Sequence, residues 1–244
     1  MALTLATDDT GGPEIFASVQ GEGPSAGMPV AFLRLSRCNL ACVWCDTAYT
    51  WHFEGDDRPH RTGRTFDRKA NQLTLDERVV AERIAAMGQT RLVITGGEPL
   101  LQAPALAKLL DLLPDVTVEI ETNGTTKAPP RLDVHIDQFN VSPKLSHSGN
   151  PAELALIQER LDAYATDPRA FFKFVVASED DVNEAAALVR RHAIPPARVF
   201  LMPEGTDSAT LRAREEWLVP LCLDHGFRLS DRLHIHLFGD TRGT

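Results

Sequence analysis

Segments with the pattern of buried β-strands alternate with helical segments along most of this chain. The stretch 91–95 (Arg-Leu-Val-Ile-Thr) is an apolar run of the kind that parallel sheets bury on both faces, and 104–113 is a predicted helix rich in Leu and Ala. Parallel strands need a long crossover, usually a helix, so the alternation predicts a single α/β domain with a mostly parallel sheet. Such sheets place their sites at the carboxyl ends of the strands, whether the sheet is open or closed into a barrel. The predicted strands are 14–16, 30–35, 91–95, 116–121, 138–142, 171–176, 198–201 and 232–237, and the predicted helices include 104–113, 153–165, 179–192 and 211–225.

The domain is predicted to span residues 13–244, with 1–12 as a loose leader. No internal repeat, low-complexity tract or linker divides it. Thr74, followed three residues later by Glu77, has the spacing of a capping box and predicts the start of a helix. The polar stretch 54–70 is rich in structure-breaking residues, and we interpret it as an exposed loop and a candidate lid.

The charge balance restricts the class of partner. The chain has 34 acidic and 25 basic residues, a formal charge of −9, whereas nucleic-acid binders rely on basic surfaces for their affinity. No apolar stretch approaches the ~20 residues of a membrane span. The first ten residues lack the basic region and apolar core of a signal peptide. We therefore expect a cytoplasmic protein that binds neither nucleic acid nor membrane, although a few cations would still suffice for a small anionic substrate.

Three of the four cysteines fall within eight residues, directly after a predicted strand: Cys38, Cys42 and Cys45. A disulfide framework would need even numbers and spread positions, so this spacing favours a metal or cluster site. Three thiolates on one loop can hold three irons of a cubane cluster and leave the fourth iron open. The alternative is a structural zinc site with Cys222 or His52 as fourth ligand, although Cys222 lies in an apolar stretch and is most simply a core thiol.

A second motif, Thr-Gly-Gly-Glu-Pro at 95–99, lies between a predicted strand and a predicted helix. Its glycines allow the backbone to approach a ligand closely at the carboxyl end of a strand. Alone, the motif is no more than a strand-to-helix turn. The sequence contains no Walker A, G-x-G-x-x-G, H-E-x-x-H or G-x-S-x-G motif that would indicate nucleotide-binding, metalloprotease or hydrolase chemistry.

The two motifs, with the cysteine loop before the glycine motif, resemble those of the radical S-adenosylmethionine superfamily. There, a C-x3-C-x2-C loop after the first barrel strand holds a 4Fe-4S cluster. The open iron of the cluster binds the amino and carboxylate groups of S-adenosylmethionine, and a GGE-type loop receives the amino group. Trp44, just before the third cysteine, also fits this loop. The resemblance implies a partial or distorted (β/α) barrel.

Further segments resemble one family of that superfamily, the 7-carboxy-7-deazaguanine synthases, and the resemblance extends from about Glu14 to the closing segment 237–243. It implies ring contraction of 6-carboxy-5,6,7,8-tetrahydropterin to 7-carboxy-7-deazaguanine with loss of ammonia. It also implies Mg2+ as a cofactor, an electron donor such as flavodoxin or ferredoxin, and a homodimer. The segments that carry the resemblance are Glu14-Ile15-Phe16, Ser18-Val19-Gln20-Gly21-Glu22-Gly23, Arg34, Asp46-Thr47, Glu121-Thr122-Asn123-Gly124 and Val141-Ser142-Pro143-Lys144.

Carried over by position, the resemblance implies a set of site residues. Arg34 offers a bidentate fork for a carboxylate, and Glu22 or Gln20 can pair with the amide-like edge of a pterin. Arg34, Glu22 and Thr47 are the implied catalytic residues, with Thr47 as the Mg2+ ligand. At 202–205, the sequence departs from the family's S-adenosylmethionine-contacting stretch. The implied substrate contacts are Val19, Gln20, Gly21, Glu22, Arg34 and Thr95, and the implied S-adenosylmethionine contacts are Trp44, Cys45, Asp46, Gly97, Ser142, Pro143 and Lys144.

Two other functions remain open from the sequence: an activase of the same superfamily that acts on a protein glycyl-radical site, and a zinc-stabilised binding module without catalysis. Taken singly, Arg34 could equally be a surface ion pair and Lys144 a solvated charge. His234 and His236 share one face of the predicted strand 232–237 and could ligate a metal, but such histidines are more often merely packed or exposed.

Overall fold

The computed structural model describes residues 2–244, and the strands in this part of the chain join in one ten-stranded sheet. The predicted alternation of strands and helices is confirmed for most of the chain. The strands are β1 (Ala2–Ala6), β2 (Ile15–Val19), β3 (Pro29–Leu35), β4 (Gln72–Asp76), β5 (Arg91–Gly96), β6 (Thr117–Thr122), β7 (Gln138–Val141), β8 (Ala170–Val176), β9 (Val199–Pro203) and β10 (Arg228–Leu229).

The sheet is parallel from β3 to β10 and antiparallel at its other side. Its order is β10-β9-β8-β7-β6-β5-β3-β1-β4, and β2 pairs with β3 off this path. The ends of the order, β10 and β4, do not pair with each other, so the barrel is open. The register places Arg34 of β3 beside Thr95 of β5. The predicted fold class, a partial (β/α) barrel with a mostly parallel sheet, is confirmed.

Helices cover the strands because their apolar faces complete the core. Ser178 and Asp181 form a capping box at the start of the helix after β8, and Gly226 ends the next long helix in the left-handed conformation, with φ of 67°. Cys222 is buried in the core, as predicted. The helices are α1 (Arg68–Asn71), α2 (Glu77–Ala86), α3 (Ala103–Leu110), α4 (Pro130–Asp133), α5 (Ala152–Ala155), α6 (Gln158–Thr166), α7 (Glu179–Arg191), α8 (Ser208–His225) and α9 (Leu233–Phe238). No helix within residues 2–244 combines the length and the apolar character needed to cross a membrane.

The prediction of a loose leader at 1–12 is wrong. Residues 2–6 form β1, which pairs with β4 over five residues and meets β3 at Leu5. Leu3 and Leu5 are fully buried, and the backbone amide of Thr4 donates to Gln102 Oε1 at 2.8 Å. The short Ala-Leu-Thr-Leu-Ala segment is therefore a strand whose alternate side chains complete the core.

Two further predictions of local secondary structure are also wrong. Thr74 lies in β4 rather than at a helix start, and the Asp76 side chain caps α2 by accepting from the Arg78 amide at 2.9 Å. The predicted helix 153–165 is interrupted between α5 and α6.

The predicted last strand, 232–237, is the helix α9. Its Arg-Leu-His-Ile-His-Leu sequence alternates like a strand, but it does not join the sheet. Instead, the helix packs against the loop after β2, where the Leu233 amide donates to the Gly21 carbonyl at 2.9 Å. A Cβ at Gly21 would lie 2.2 Å from the His234 ring, so the close approach requires glycine there.

Candidate active site

The three cysteines lie on the loop that leaves the carboxyl end of β3, and each carries a free thiol. Side-chain polar groups point at each sulfur. Asn123 Nδ2 is 3.9 Å from Cys38 Sγ, Asn150 Nδ2 is 3.3 Å from Cys42 Sγ, and Thr47 Oγ1 is 3.6 Å from Cys45 Sγ. Hydrogen bonds to sulfur are a common way for proteins to tune iron–sulfur centres.

Burial makes these thiols weak acids. It raises the pKa of Cys38 to about 12 and that of Cys42 to about 11, and it also raises the pKa of Cys45. Iron binds the thiolate, so loading this loop must displace protons.

Two glycines at the carboxyl end of β5, Gly96 and Gly97, allow the cysteine loop to lie where it does. Gly96 has φ of +128°, and a Cβ there would lie 2.0 Å from the Leu35 carbonyl oxygen. A Cβ at Gly97 would lie 2.0 Å from the carbonyl oxygen of Arg37, the residue before Cys38. Only glycine permits this approach, which brings the backbone of 95–99 against the start of the cysteine loop.

Glu98 of the same motif turns into the protein rather than towards a ligand. It is fully buried, and its carboxylate accepts from Thr122 Oγ1 at 3.0 Å and from the Asn123 amide at 2.8 Å. It also accepts from the Leu100 amide at 3.0 Å. Glu98 therefore ties the end of β5 to the end of β6, and so places Asn123 beside Cys38.

One cavity opens at the carboxyl ends of the parallel strands, and nearly all the sequence-predicted site residues line it. Pro143 does not line the cavity, although its neighbours do. His52 and Cys222, the alternative zinc ligands, do not line it either; the His52 ring contacts the Arg64 carbonyl at 2.9 Å. The predicted residues that line the cavity are Val19, Gln20, Gly21, Glu22, Arg34, Cys38, Cys42, Trp44, Cys45, Asp46, Thr47, Thr95, Gly97, Ser142 and Lys144.

Glu22 lies within a chain of alternating charges among the residues that line the cavity. It forms ion pairs with Lys173 and, at 3.1 Å, with Arg232 Nε; Arg232 also pairs with Asp46. Lys173 Nζ lies 3.3 Å from a Glu121 oxygen. Burial works against the charged form, but Lys173 and Arg232 together hold the pKa of Glu22 well below its usual range. Glu22 is therefore a carboxylate at neutral pH and can only accept hydrogen bonds.

Arg34 also lines the cavity. Its Nε donates to Glu14 Oε1 at 2.7 Å, and among residues 2–244 no group bonds its two terminal nitrogens. Burial opposes the charge, but the ion pair with Glu14 raises the pKa of Arg34 above its ordinary value. The guanidinium thus keeps its charge and presents two free donors to the cavity.

Trp44 and two residues of the segment after β7, Ser142 and Lys144, also line the cavity. The Trp44 ring stacks on His147 with centroids 5.4 Å apart, and Lys144 Nζ lies 5.8 Å from the Trp44 ring centre. Lys144 Nζ also donates to Ser142 Oγ at 2.8 Å. The Trp44 Nε1 atom is buried and, within the part of the chain that the structure describes, has no hydrogen-bond partner. An unpaired buried donor is costly, and here it is available to a ligand.

Comparison with known proteins identifies the family. A model of the radical SAM superfamily matches residues 33–210. The 7-carboxy-7-deazaguanine synthase of Pyrobaculum aerophilum is 38% identical over 94% of this chain and 95% of that protein, and that of Hyperthermus butylicus is 36% identical over 91% and 90%. The chain belongs to the 7-carboxy-7-deazaguanine synthase family of radical SAM enzymes. The crystal structure of QueE from Escherichia coli covers 95% of both chains with a TM-score of 0.65 at 24% identity, which supports the fold.

Membership of this family excludes the two other functions that the sequence left open, the glycyl-radical activase and the zinc-stabilised binding module. It implies a 4Fe-4S cluster and S-adenosylmethionine. The residues present fit both: Cys38, Cys42 and Cys45 supply three sulfur ligands, and Trp44 Nε1 is an unpaired donor in the same cavity.

Several residues that line the cavity were not predicted from the sequence, above all Lys173, Arg232 and Arg61. The sequence did hold a sign that Lys173 has a function, because it is the only charged residue in the apolar strand β8. The sequence held no such sign for Arg232, because the segment around it alternates like a strand. Its guanidinium reaches Glu22 and Asp46 only because α9 packs on the loop after β2.

The stretch 54–70, predicted as a candidate lid, holds the cysteine loop in place. His60 Nε2 lies 2.8 Å from the Cys45 carbonyl oxygen, and the Arg61 amide donates to the Val43 carbonyl at 2.7 Å. The Arg61 side chain pairs with Glu204, just beyond β9. The segment thus ties the cysteine loop to the end of β9, through the stretch 202–205 where the sequence departs from the family pattern.

The expectation that His234 and His236 share a face is wrong, because both lie on a helix. His234 Nε2 is 3.9 Å from Glu22 and lines the cavity. His236 does not line it and bonds Ser208 Oγ at 2.9 Å and Asp231 Oδ1 at 3.0 Å.

Proposed function

We propose that this enzyme catalyses the S-adenosylmethionine- and Mg2+-dependent ring contraction of 6-carboxy-5,6,7,8-tetrahydropterin to 7-carboxy-7-deazaguanine, with loss of ammonia. The observation that carries the proposal is Arg34. It is a charged guanidinium with two free donors, in the same cavity as three cysteines of a radical SAM loop. A carboxylate on the substrate is the chemical group that this fork fits.

The cofactors are assigned to the two motif loops. Cys38, Cys42 and Cys45 would hold the cluster, and Gly97, Ser142 and the residues near them would bind S-adenosylmethionine. When bound, the cluster and S-adenosylmethionine would supply the radical that removes the hydrogen atom from C6 of the pterin. Trp44 Nε1 and Lys144 Nζ would orient the polar groups of S-adenosylmethionine, and Cys45 and Asp46 also line this cavity. Pro143 does not line the cavity and is assigned to this site only as the neighbour of Ser142 and Lys144.

The substrate is assigned to the cavity residues around Arg34 and Glu22. Arg34 binds its carboxylate, and Glu22, held ionised by Lys173 and Arg232, accepts from the N–H groups of the pterin edge. Val19, Gln20 and Gly21 line the cavity next to Glu22, and Thr95 lies beside Arg34 in the sheet. Fixing both ends of the ring determines which hydrogen faces the cofactor, which is the contribution expected of the protein.

Thr47 is the proposed Mg2+ ligand. It follows Cys45 by two residues and lines the cavity with Arg34 and Asp46. Mg2+ retains several waters and shares its coordination with substrate oxygens, so a single neutral hydroxyl from the protein is a suitable ligand. We also propose, from the family resemblance, a cytoplasmic homodimer with flavodoxin or ferredoxin as electron donor.

Turnover of the reconstituted enzyme tests this function. The protein is loaded anaerobically with iron and sulfide, mixed with S-adenosylmethionine, reductant, Mg2+ and 6-carboxytetrahydropterin, and product is followed by mass spectrometry. We expect 7-carboxy-7-deazaguanine from the parent and none from a variant in which the three loop cysteines are alanine. A parent that carries the cluster and cleaves S-adenosylmethionine, yet makes no deazaguanine, would disprove the assignment.

A further inference from the structure

Glu14 contacts Arg34 through both its backbone and its side chain. The Glu14 carbonyl accepts from the Arg34 amide at 3.0 Å, and its carboxylate accepts from Arg34 Nε at 2.7 Å. The glutamate is 1% exposed, so this carboxylate has been removed almost completely from water. A buried carboxylate needs partners that satisfy both of its oxygens.

Tyr49 supplies the second partner. Its hydroxyl donates to the Glu14 carboxylate, 2.9 Å from Oε2 and 3.1 Å from Oε1, and the tyrosine is itself buried. The Arg242 guanidinium carbon lies 3.6 Å from the centre of the Tyr49 ring, which helps to fix the ring. The orientation of the Glu14 carboxylate is therefore fixed by Arg34 and Tyr49.

The consequence for Arg34 is that only one edge of its guanidinium is used inside the protein. The Nε edge is held by Glu14, and the two terminal nitrogens have no partner within residues 2–244. A guanidinium that is already ordered loses less conformational entropy when it binds an anion. It also needs no rearrangement to present two parallel N–H groups.

We propose that Glu14 and Tyr49 are positioning residues that hold the Arg34 fork ready for the substrate's carboxylate. The inference rests on the proposed function, because it takes Arg34 as the carboxylate-binding residue. It goes beyond that function by assigning the recognition of the carboxylate to a buried Tyr49–Glu14–Arg34 chain rather than to Arg34 alone.

A purely structural role for the same chain predicts a different result. In that case, Glu14 and Tyr49 would only neutralise and pack a buried charge. Their substitution would then lower the melting temperature and the fraction of active enzyme, whereas the folded enzyme would keep the parental KM for the pterin. Steady-state kinetics on Tyr49→Phe and Glu14→Gln therefore separates the two roles.

We expect Tyr49→Phe to raise the KM for the pterin several-fold and Glu14→Gln to raise it about tenfold, as for loss of a charge-assisted hydrogen bond. The KM for S-adenosylmethionine and the rate of its uncoupled cleavage should stay near the parental values. Tyr164→Phe is the matched control, since Tyr164 is also buried and its hydroxyl donates to the Thr126 carbonyl at 2.8 Å. It should leave the KM for the pterin unchanged.

Chemical rescue gives a second readout that does not depend on the stability of any single variant. In Arg34→Ala, free guanidinium at concentrations well below denaturing should restore turnover, because Glu14 and Tyr49 remain to hold it. The guanidinium concentration for half-maximal rescue should rise at least several-fold in Arg34→Ala/Tyr49→Phe, and stay unchanged in Arg34→Ala/Tyr164→Phe.

The outcomes distinguish this inference from the proposed function. If the parent makes no deazaguanine from the pterin, the proposed function fails and the inference fails with it. If the parent makes product but Tyr49→Phe and Glu14→Gln keep its KM, or rescue is equally efficient with and without the Tyr49 hydroxyl, the inference alone is overturned.

Discussion

Lys173 forms a buried ion pair with Glu22, 151 residues earlier in the chain. Lys173 points from the middle of β8 and Glu22 from the loop after β2, so the pair joins two distant parts of the sheet at the cavity. Lys173 also contacts Glu121 at 3.3 Å, so its ammonium group lies between two carboxylates.

Lys173→Met is expected to destabilise the protein by about 3 kcal/mol at pH 7, since removal of one partner leaves buried charge uncompensated. The parental pKa of Glu22 is held low, so its contribution to stability is present above its unfolded pKa and is lost as pH falls through the folded pKa. The variant should thus differ most from the parent at neutral pH and less at acid pH. Urea unfolding at several pH values measures this. The exposed Lys127→Met is the control, and a deficit of equal size at all pH values would contradict the prediction.

Cysteine substitutions test the ligand assignment. Replacement of Cys38, Cys42 or Cys45 by alanine should abolish cluster assembly, whereas Cys222→Ala should not, because Cys222 is buried in the core away from the cavity. Iron and sulfide contents after anaerobic reconstitution provide the measurement. An essential Cys222 together with a dispensable member of the trio would show that the ligands are misassigned.

Arg34→Ala should weaken pterin binding at least tenfold, corresponding to about 1.5–3 kcal/mol for a charge-assisted bond, and leave S-adenosylmethionine binding nearly intact. Arg34→Lys should recover only part of the loss, since an ammonium cannot bind a carboxylate bidentately. Calorimetric titration with each ligand checks this. Equal loss of both affinities would indicate a folding defect rather than a lost substrate contact.

The segment 54–70 should protect the cluster. His60→Ala removes the contact with the Cys45 carbonyl, and Arg61→Ala removes the pair with Glu204. Each change should loosen the cysteine loop and speed the loss of visible cluster absorption in air several-fold. Arg64→Ala is the control, because that exposed side chain lies over Phe66 and contacts neither group. Bleaching at the parental rate in both test variants would leave the segment without this role.

Thr47→Ala tests the Mg2+ assignment. The variant should assemble the cluster and cleave S-adenosylmethionine, but form product more slowly and lose stimulation by Mg2+, because a protein ligand of the ion is gone. Turnover with and without Mg2+ in both proteins provides the comparison. A variant as fast and as responsive to Mg2+ as the parent would remove Thr47 from the site; its hydroxyl would then serve only the contact with Cys45 Sγ.

The sequence was sufficient for the features that depend on local pattern. The cysteine loop follows β3 and the double glycine lies at the carboxyl end of β5, as the alternation of strands and helices predicted. It was not sufficient where tertiary contacts override local pattern. The segment around His234 alternates like a strand but folds as α9, because Gly21 accepts that helix at a distance no other residue would allow. Nor could the sequence show that Glu14 is the partner of Arg34, since their pairing depends on the register of β2 against β3.

Transfer of the pterin's C6 hydrogen tests the proposed chemistry most directly. The parent enzyme is incubated anaerobically with S-adenosylmethionine, Mg2+ and pterin substrate that carries deuterium at C6, and the 5′-deoxyadenosine formed is analysed by mass spectrometry. We predict deuterium in the 5′-deoxyadenosine together with formation of 7-carboxy-7-deazaguanine. Unlabelled 5′-deoxyadenosine and unchanged pterin, from enzyme with an intact cluster, would contradict the proposed reaction.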